Sequence, residues 1–307
     1  MVNNLSADVI IIGGSFAGLS AALALARSGR SVAVFDNDDA CNKSSEKAYN
    51  ILTNDGLSPQ EIKSKAIKNV MNYKSASFYT KTVSRIAEGD PLSIETVDGA
   101  TYSSKAALLC TGMADIIPDI PGFADCWGKS IIHCPYCHAY ERQARHVSMF
   151  GHTEEDIVLA GLLKTWNKDV TLLTNGHPVL AEQHELLQKQ QITIKTQSIS
   201  ALCHNDGQLR AVAFDDGTSF EVKDIFVNPA AVQRSSIGES AGCELLENQL
   251  IKIDDFHRTT VTGVYAAGDC CTSFRTISIA IASGTKAGIF IHQDLHKMHL
   301  KKLLSRK

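Results

Sequence analysis

The chain has 307 residues, 44% hydrophobic and 21% charged, enough for two domains with sizeable cores and without a disordered signature. A formal net charge of -3 gives no electrostatic reason to expect nucleic acid as a partner. The opening MVNNLSADVIIIGG lacks a basic n-region and a long apolar core, and no apolar run reaches the roughly 18 residues of a membrane helix, so a cytoplasmic protein with no membrane partner is expected.

In chain order, ADVIII (7–12) is the pattern of a strand buried on both faces of a parallel sheet. GGSFAG (13–18) follows as a turn, then LSAALALARSG as a helix ending at Gly29, then SVAVFD (31–36) as a second buried strand. This βαβ unit, with Asp36 about 20 residues past the glycine turn, is the arrangement that binds an adenine dinucleotide. Gly13 and Gly14 form the turn, and Gly18 lets the helix pack closely on the strand. The helix N-terminus offers N–H groups to a pyrophosphate, while Asp36 can accept from ribose hydroxyls. Ser15 stands where the fingerprint has its middle glycine, which narrows the backbone approach.

AALLCTG (106–112) is a further strand, ending in Thr111-Gly112 and followed by IIPDIPGF. HVSMFG (146–151), EDIVLAGLLKTW (155–166) and DVTLLT (169–174) predict a second βαβ unit. Its turn runs Gly151-His152-Thr153-Glu154-Glu155-Asp156, so acids occupy the first helical turn. They favour the helix dipole but oppose a bound pyrophosphate. VTGVYAAGDC (261–270) is another apolar strand, ending in Gly268-Asp269.

Nine cysteines, odd in number and irregularly spaced, do not suggest a disulfide framework. Cys110, Cys203 and Cys243 lie in apolar or strand-like stretches, where a small buried hydrophobe is expected. The adjacent Cys270 and Cys271 are expected to stay reduced. CPYCHAYE (134–141) is different: a C-x-x-C pair flanked by His133 and His138 has the spacing of a redox dithiol, whose thiolate is the attacking species. A zinc site would need four ligands, and no second C-x-x-C or H-x3-H pair exists to complete it, so no metal is expected.

With these segments together, the chain resembles the two-domain flavoprotein disulfide reductases, most closely the low-molecular-weight thioredoxin reductase-like family. The resemblance implies an α/β fold of two Rossmann-like (three-layer ββα) nucleotide-binding domains, the second inserted into the first. The FAD domain would comprise 1–115 and 247–307, and the inserted NAD(P)H-type domain, 116–246, would carry the dithiol. It further implies that Thr111-Gly112 closes the FAD domain, that Asp269 after Gly268 holds the ribityl chain of FAD, and that a helix beginning near Arg275, Thr276 and Ile277 points its N-terminus at the flavin.

C-x-x-C-H-G-[YF]-E marks a subgroup of that family which includes the dithiol oxidases of gliotoxin and holomycin biosynthesis. The chain shares with it His138, Glu141, the Cys41-Asn42 pair, NILTNDG (50–56) and LLKTWNKDVTLLTNG (162–176), and departs at Ala139. By position, Cys137 would face the flavin, Cys134 would attack the external disulfide, and His138 would donate the proton. Thioredoxin reductases place paired arginines after the second strand of the inserted domain; here stand Asn175, Gly176 and His177. Whether that domain holds NADPH or is kept for folding or docking is left open. So is the activity: reduction of a thioredoxin-like protein, with electrons from NADPH or a donor such as ferredoxin; oxidation of a small-molecule dithiol by oxygen; or a scaffold or redox sensor without turnover. A homodimer is implied by the resemblance alone.

Overall fold

A computed structural model describes residues 6–305; the first five residues of the opening segment lie outside the described residues. The chain folds as two compact units: Met1–Lys43, Gln60–Ala114 and Ala231–Lys307 form the first, and Ser44–Pro59 with Asp115–Ala230 the second.

The first unit is built on a seven-stranded sheet. Ala76–Thr80, Val32–Asp36, Ser6–Ile12 and Thr101–Leu109 run parallel in that order, and Val264–Ala266 joins the far edge of Thr101–Leu109, also parallel. The first half of that edge pairs instead with the antiparallel hairpin Leu92–Thr96 and Val83–Ala87. Unbroken β-branched and small apolar runs form the parallel strands because both faces are covered: Val9, Ile10, Ile11, Val34 and Leu108 are fully buried. The helix Phe16–Arg27 packs on the long C-terminal helix Ile277–Leu304 through small residues. A Cβ at Gly284 would stand 2.0 Å from the Ala17 carbonyl oxygen, so only glycine permits that crossing.

The second unit repeats the plan. Its all-parallel sheet runs Thr193–Lys195, Val170–Leu173, Val147–Phe150, Asp224–Val227, Ile131–Ile132. One face packs Ile157, Ala160 and Leu163 of the helix Glu154–Leu163. The other packs Leu202, Val212 and Phe214 of an antiparallel meander, Ile199–Asn205, Gln208–Phe214 and Ser219–Glu221. Helix, parallel sheet and meander make the three-layer ββα sandwich, and the fold is the two-domain Rossmann-type α/β class.

The expected layout had the chain return to the first domain at residue 247, whereas the first unit takes it back at Ala231. The reason lies in the core: Ile237 and Cys243 are buried with Ile10, Leu109 and Ile251. Residues 44–59 group with the second unit, where a Cβ on Gly128 would press against Ser44. Cys110 and Cys243 are buried, but Cys203 is exposed: it lies outward beside the buried Leu202, in a strand whose register shifts at Ile199/Ala201 and Cys203/His204.

Candidate active site

In the first unit the strand Ser6–Ile12 ends at a turn with no room for side chains. Gly13 has φ +104°, and a Cβ there would lie 2.1 Å from the Cys110 carbonyl oxygen; one at Gly18 would lie 1.9 Å from the Gly13 carbonyl oxygen. Ser15 is the N-cap of the helix Phe16–Arg27, yet its side chain makes no capping hydrogen bond, and the first turn holds no acid. The N-terminal N–H groups therefore face no internal anion. Gly14 N–H donates to Asp36 Oδ1 at 3.1 Å, tying the turn to the acid that ends the second strand. An unfilled helix terminus, a glycine-lined approach and a strand-end carboxylate suit the adenosine diphosphate half of FAD.

The other two loops expected at this site are in the same unit. Gly112 has φ +69° and follows strand Thr101–Leu109. Gly268 has φ +79°, and its N–H is held by Ser283 Oγ at 2.9 Å, so the Gly268-Asp269 turn is pinned to the C-terminal helix. That helix begins at Ile277; Thr276 is its N-cap and accepts from Ile279 N–H at 3.2 Å, while Arg275 precedes the helix and reaches Asp269 at 3.8 Å. Cys110 and Cys270 lie buried beneath these turns, and burial pushes the Cys110 thiol well up.

In the second unit Cys134 and Cys137 form a disulfide with S–S 2.10 Å and Cα–Cα 5.3 Å. Cys134 caps the short helix Pro135–His138, with Cys137 N–H on its sulfur at 3.1 Å. His138 Nε2 lies 3.3 Å from the Lys47 carbonyl oxygen. A carbonyl only accepts, so Nε2 carries the hydrogen and Nδ1 the lone pair. Nδ1 is buried without a hydrogen-bond partner among the described residues. Burial first, then the positive charge of Arg142 and the neighbouring His133, bring the His138 pKa down to about 4 against the upward pull of the Lys47 hydrogen bond. Neutral at ordinary pH, His138 is equipped to take a proton.

Three separated segments brace this turn, none of which was singled out for it from the sequence. Tyr49, just before NILTNDG, meets the His138 ring edge-on at 5.8 Å. Trp166 packs edge-on against Tyr136 at 5.7 Å, and Asn167 Nδ2 donates to the Arg142 carbonyl. Arg142 ties the turn to the sheet by donating to the buried Asp224 at 2.7 Å and to the His138 carbonyl at 3.2 Å. The shared LLKTWN stretch thus has a physical use as a brace for the dithiol. Ala139 sits at φ -70°, ψ -28° and is fully buried, so a Cβ is welcome where relatives in the subgroup have glycine.

The turn after Val147–Phe150 contrasts with its counterpart. Asp156 Oδ2 accepts from His152 N–H at 2.9 Å and Thr153 N–H at 3.0 Å, and Asp156 N–H donates to Thr153 Oγ1 at 3.2 Å, completing a capping box. The Asp156 carboxylate also fills the space over Gly151, 2.2 Å from where a Cβ would be. Glu154 and Glu155 are exposed beside it. Beyond the second strand, His177 stacks on His152 with ring centroids 3.7 Å apart and planes 10° from parallel. Among the described residues no cluster of histidines, cysteines and acids suits a metal, and no helix is long and apolar enough to cross a membrane.

A double Rossmann fold with one open dinucleotide turn and a C-x-x-C disulfide defines a flavin-dependent oxidoreductase of thioredoxin reductase-like type. Residues 7–284 match the pyridine nucleotide-disulphide oxidoreductase family, and the chain belongs to it. It is 30% identical over 302 residues to the thioredoxin reductase aclD of Aspergillus oryzae, covering 94% of this chain and 96% of that one. The thioredoxin reductase tcpT of Claviceps purpurea is also 30% identical, over 92% of each chain. Among solved structures, TrxB of Bacillus anthracis superposes with TM-score 0.92 at 32% identity, covering 95% of this chain and 99% of that one. HlmI superposes with TM-score 0.93 at 28% identity, covering 100% and 97%. The family implies FAD as the cofactor.

Proposed function

We propose that the protein is an FAD-dependent thiol–disulfide oxidoreductase whose Cys134–Cys137 pair oxidises an external dithiol, with dioxygen as the final electron acceptor. The observation that carries the direction is the Asp156 carboxylate on the N–H groups of His152 and Thr153. A reductase of this fold loads electrons from a nicotinamide dinucleotide whose pyrophosphate needs those groups, and an internal anion already holds them.

The residues divide the work as follows. One substrate thiol gives its proton to His138 Nδ1 and attacks Cys134 Sγ; the Cys134–Cys137 bond breaks, a mixed disulfide forms, and Cys137 leaves as thiolate. The second substrate thiol attacks the substrate sulfur of the mixed disulfide, and Cys134 leaves with the bond's electron pair. The substrate loses two electrons and two protons and departs as a disulfide. Bound FAD would supply the two-electron chemistry that returns the Cys134–Cys137 dithiol to the disulfide, with dioxygen as the final acceptor. In the opposite direction the protonated His138 would be the donor expected from the resemblance. Gly13, Gly14, Ser15, Gly18, Asp36, Thr111, Gly112, Gly268, Asp269, Arg275, Thr276 and Ile277 would hold FAD, in a homodimer of the cytoplasm.

The names of the fungal relatives favour a second reading, reduction of a thioredoxin-like protein by NADPH or by a donor such as ferredoxin. Anaerobic titration of the purified flavoprotein decides between them. A small dithiol is expected to bleach the flavin while NADPH and NADH leave it oxidised. Prompt bleaching by NADPH would overturn the oxidase direction and support the reductase.

A further inference from the structure

Lys63 stands on the helix Pro59–Met71, a stretch whose alternation of charged and apolar residues places a lysine on a solvated face. Instead its side chain is buried, 8% exposed, against Asp36 at 9%. Its Nζ donates to Asp36 Oδ2 at 2.7 Å and to Asp38 Oδ1 at 2.9 Å. Burial opposes its charge, yet the hydrogen bonds to Asp36 and Asp38 outweigh it and raise the Lys63 pKa; Asp38 is lowered by the same contact. Asp36 is thereby gripped at both oxygens, Oδ1 by Gly14 N–H and Oδ2 by Lys63. Each oxygen of an ionised carboxylate can accept more than one donor, so the grip fixes the direction of the remaining lone pairs without using them up.

We propose that Lys63 is the positioning residue that aims Asp36 at the adenosine ribose hydroxyls of FAD, with Asp38 as its outer tether. The inference rests on the FAD reading of the first unit. Two carboxylates against one ammonium leave the cluster net negative, so it suits an unphosphorylated ribose and repels a phosphate placed on it. Removing Lys63 leaves Asp36 held at Oδ1 by Gly14 N–H alone and its buried charge without a counter-ion.

The test is FAD affinity of the apoprotein, followed by quenching of flavin fluorescence, for the wild type, Lys63→Met, Lys63→Arg and Asp38→Asn. Each is measured with FAD and with an FAD analogue lacking the adenosine ribose hydroxyls. Lys63→Met should weaken FAD at least about 10-fold, the scale of one charge-assisted hydrogen bond. It should weaken the analogue by less than about 3-fold, since the group Lys63 aims at is missing there. Lys63→Arg should restore most of the affinity, and Asp38→Asn should cost about 3-fold or less. Unchanged FAD affinity in Lys63→Met overturns the inference, and so does equal loss for FAD and the analogue, which would make Lys63 a structural prop. A wild-type apoprotein that takes up no FAD would overturn the cofactor reading itself, together with everything resting on it.

Discussion

The two units carry the same strand–turn–helix, and the turns have opposite fates. At Gly13–Gly18 the helix N-terminus has no side-chain cap and no acid in its first turn, and the acid that matters, Asp36, stands a strand away in the grip of Gly14 and Lys63. At Gly151–Asp156 the acid has moved into the turn itself and satisfies the N–H groups from within. The same fold therefore leaves the helix N-terminal N–H groups without a side-chain acceptor in one case and capped by an internal carboxylate in the other. The difference is where one carboxylate sits, since an internal anion and a phosphate compete for the same donors.

The sharpest way to break the comparison is to add one methyl group to each turn. Gly13→Ala drives a Cβ to 2.1 Å from the Cys110 carbonyl at φ +104°, and neither the backbone nor the strand behind it can yield. Loss of about 3 kcal/mol or more and a protein purified without flavin are expected. Gly151→Ala is strained as well, at φ +152° with Asp156 Cγ 2.3 Å and Cβ 2.8 Å from the new Cβ, but the turn it disturbs belongs to the second unit, so flavin content per folded protein should persist. Equal flavin loss in both variants would show that the turns do not differ in kind. Absorbance at the flavin band and thermal melting read both outcomes.

A second test concerns the proton that the proposed oxidation takes from the substrate. With His138 near pKa 4, the base remains neutral at pH 5, where an ordinary histidine near 6.5 would be mostly protonated. Single-turnover reduction of the flavin by a dithiol should therefore keep its His138-dependent rate down to about pH 5 and lose it only as pH falls through about 4. His138→Gln should slow it by roughly 10²–10⁴-fold at pH 7. The deficit should shrink as pH rises and the substrate ionises unaided. An acid limb centred near 6.5 in the wild type would contradict the buried, neutral imidazole.

What the sequence disclosed follows from how local each constraint is. Gly13, Gly18 and Asp36 fall in one βαβ unit, where the spacing alone marks them as candidates, although Gly13 is also confined by the Cys110 carbonyl and Asp36 by Lys63 from outside it. Thr153 and Asp156 also form a local pattern: the T-x-x-D signature of a capping box is present in the letters, whereas the acids alone suggest only a favourable helix dipole and repulsion of a pyrophosphate. Lys63 was hidden because its partner is 27 residues away and a lysine on an amphipathic helix normally faces water. The tautomer of His138 depends on a backbone carbonyl 91 residues distant, which leaves no trace in side-chain chemistry. Tyr49, Trp166 and Asn167 lay in or beside stretches shared with the subgroup, but their role as braces appears only when the chain folds them onto the dithiol.

The smallest expected effect isolates the cap from the seal. Thr153→Ala removes the hydroxyl that accepts from Asp156 N–H but leaves the Asp156 carboxylate on its own two N–H groups. The cost should be that of one N-cap, about 1 kcal/mol, seen as faster amide exchange along Glu154–Leu163. Flavin content and the lack of reduction by NADPH should be unchanged. Asp156→Gly combined with His177→Arg removes the internal anion, unstacks His152 and supplies a cation where a ribose phosphate would lie. If the seal is the barrier, flavin reduction by NADPH should emerge in the double variant and be absent in Thr153→Ala. Emergence in both would place the barrier in the rigidity of the cap; emergence in neither would place it outside this turn, and the contrast between the two units would no longer account for the direction of electron flow.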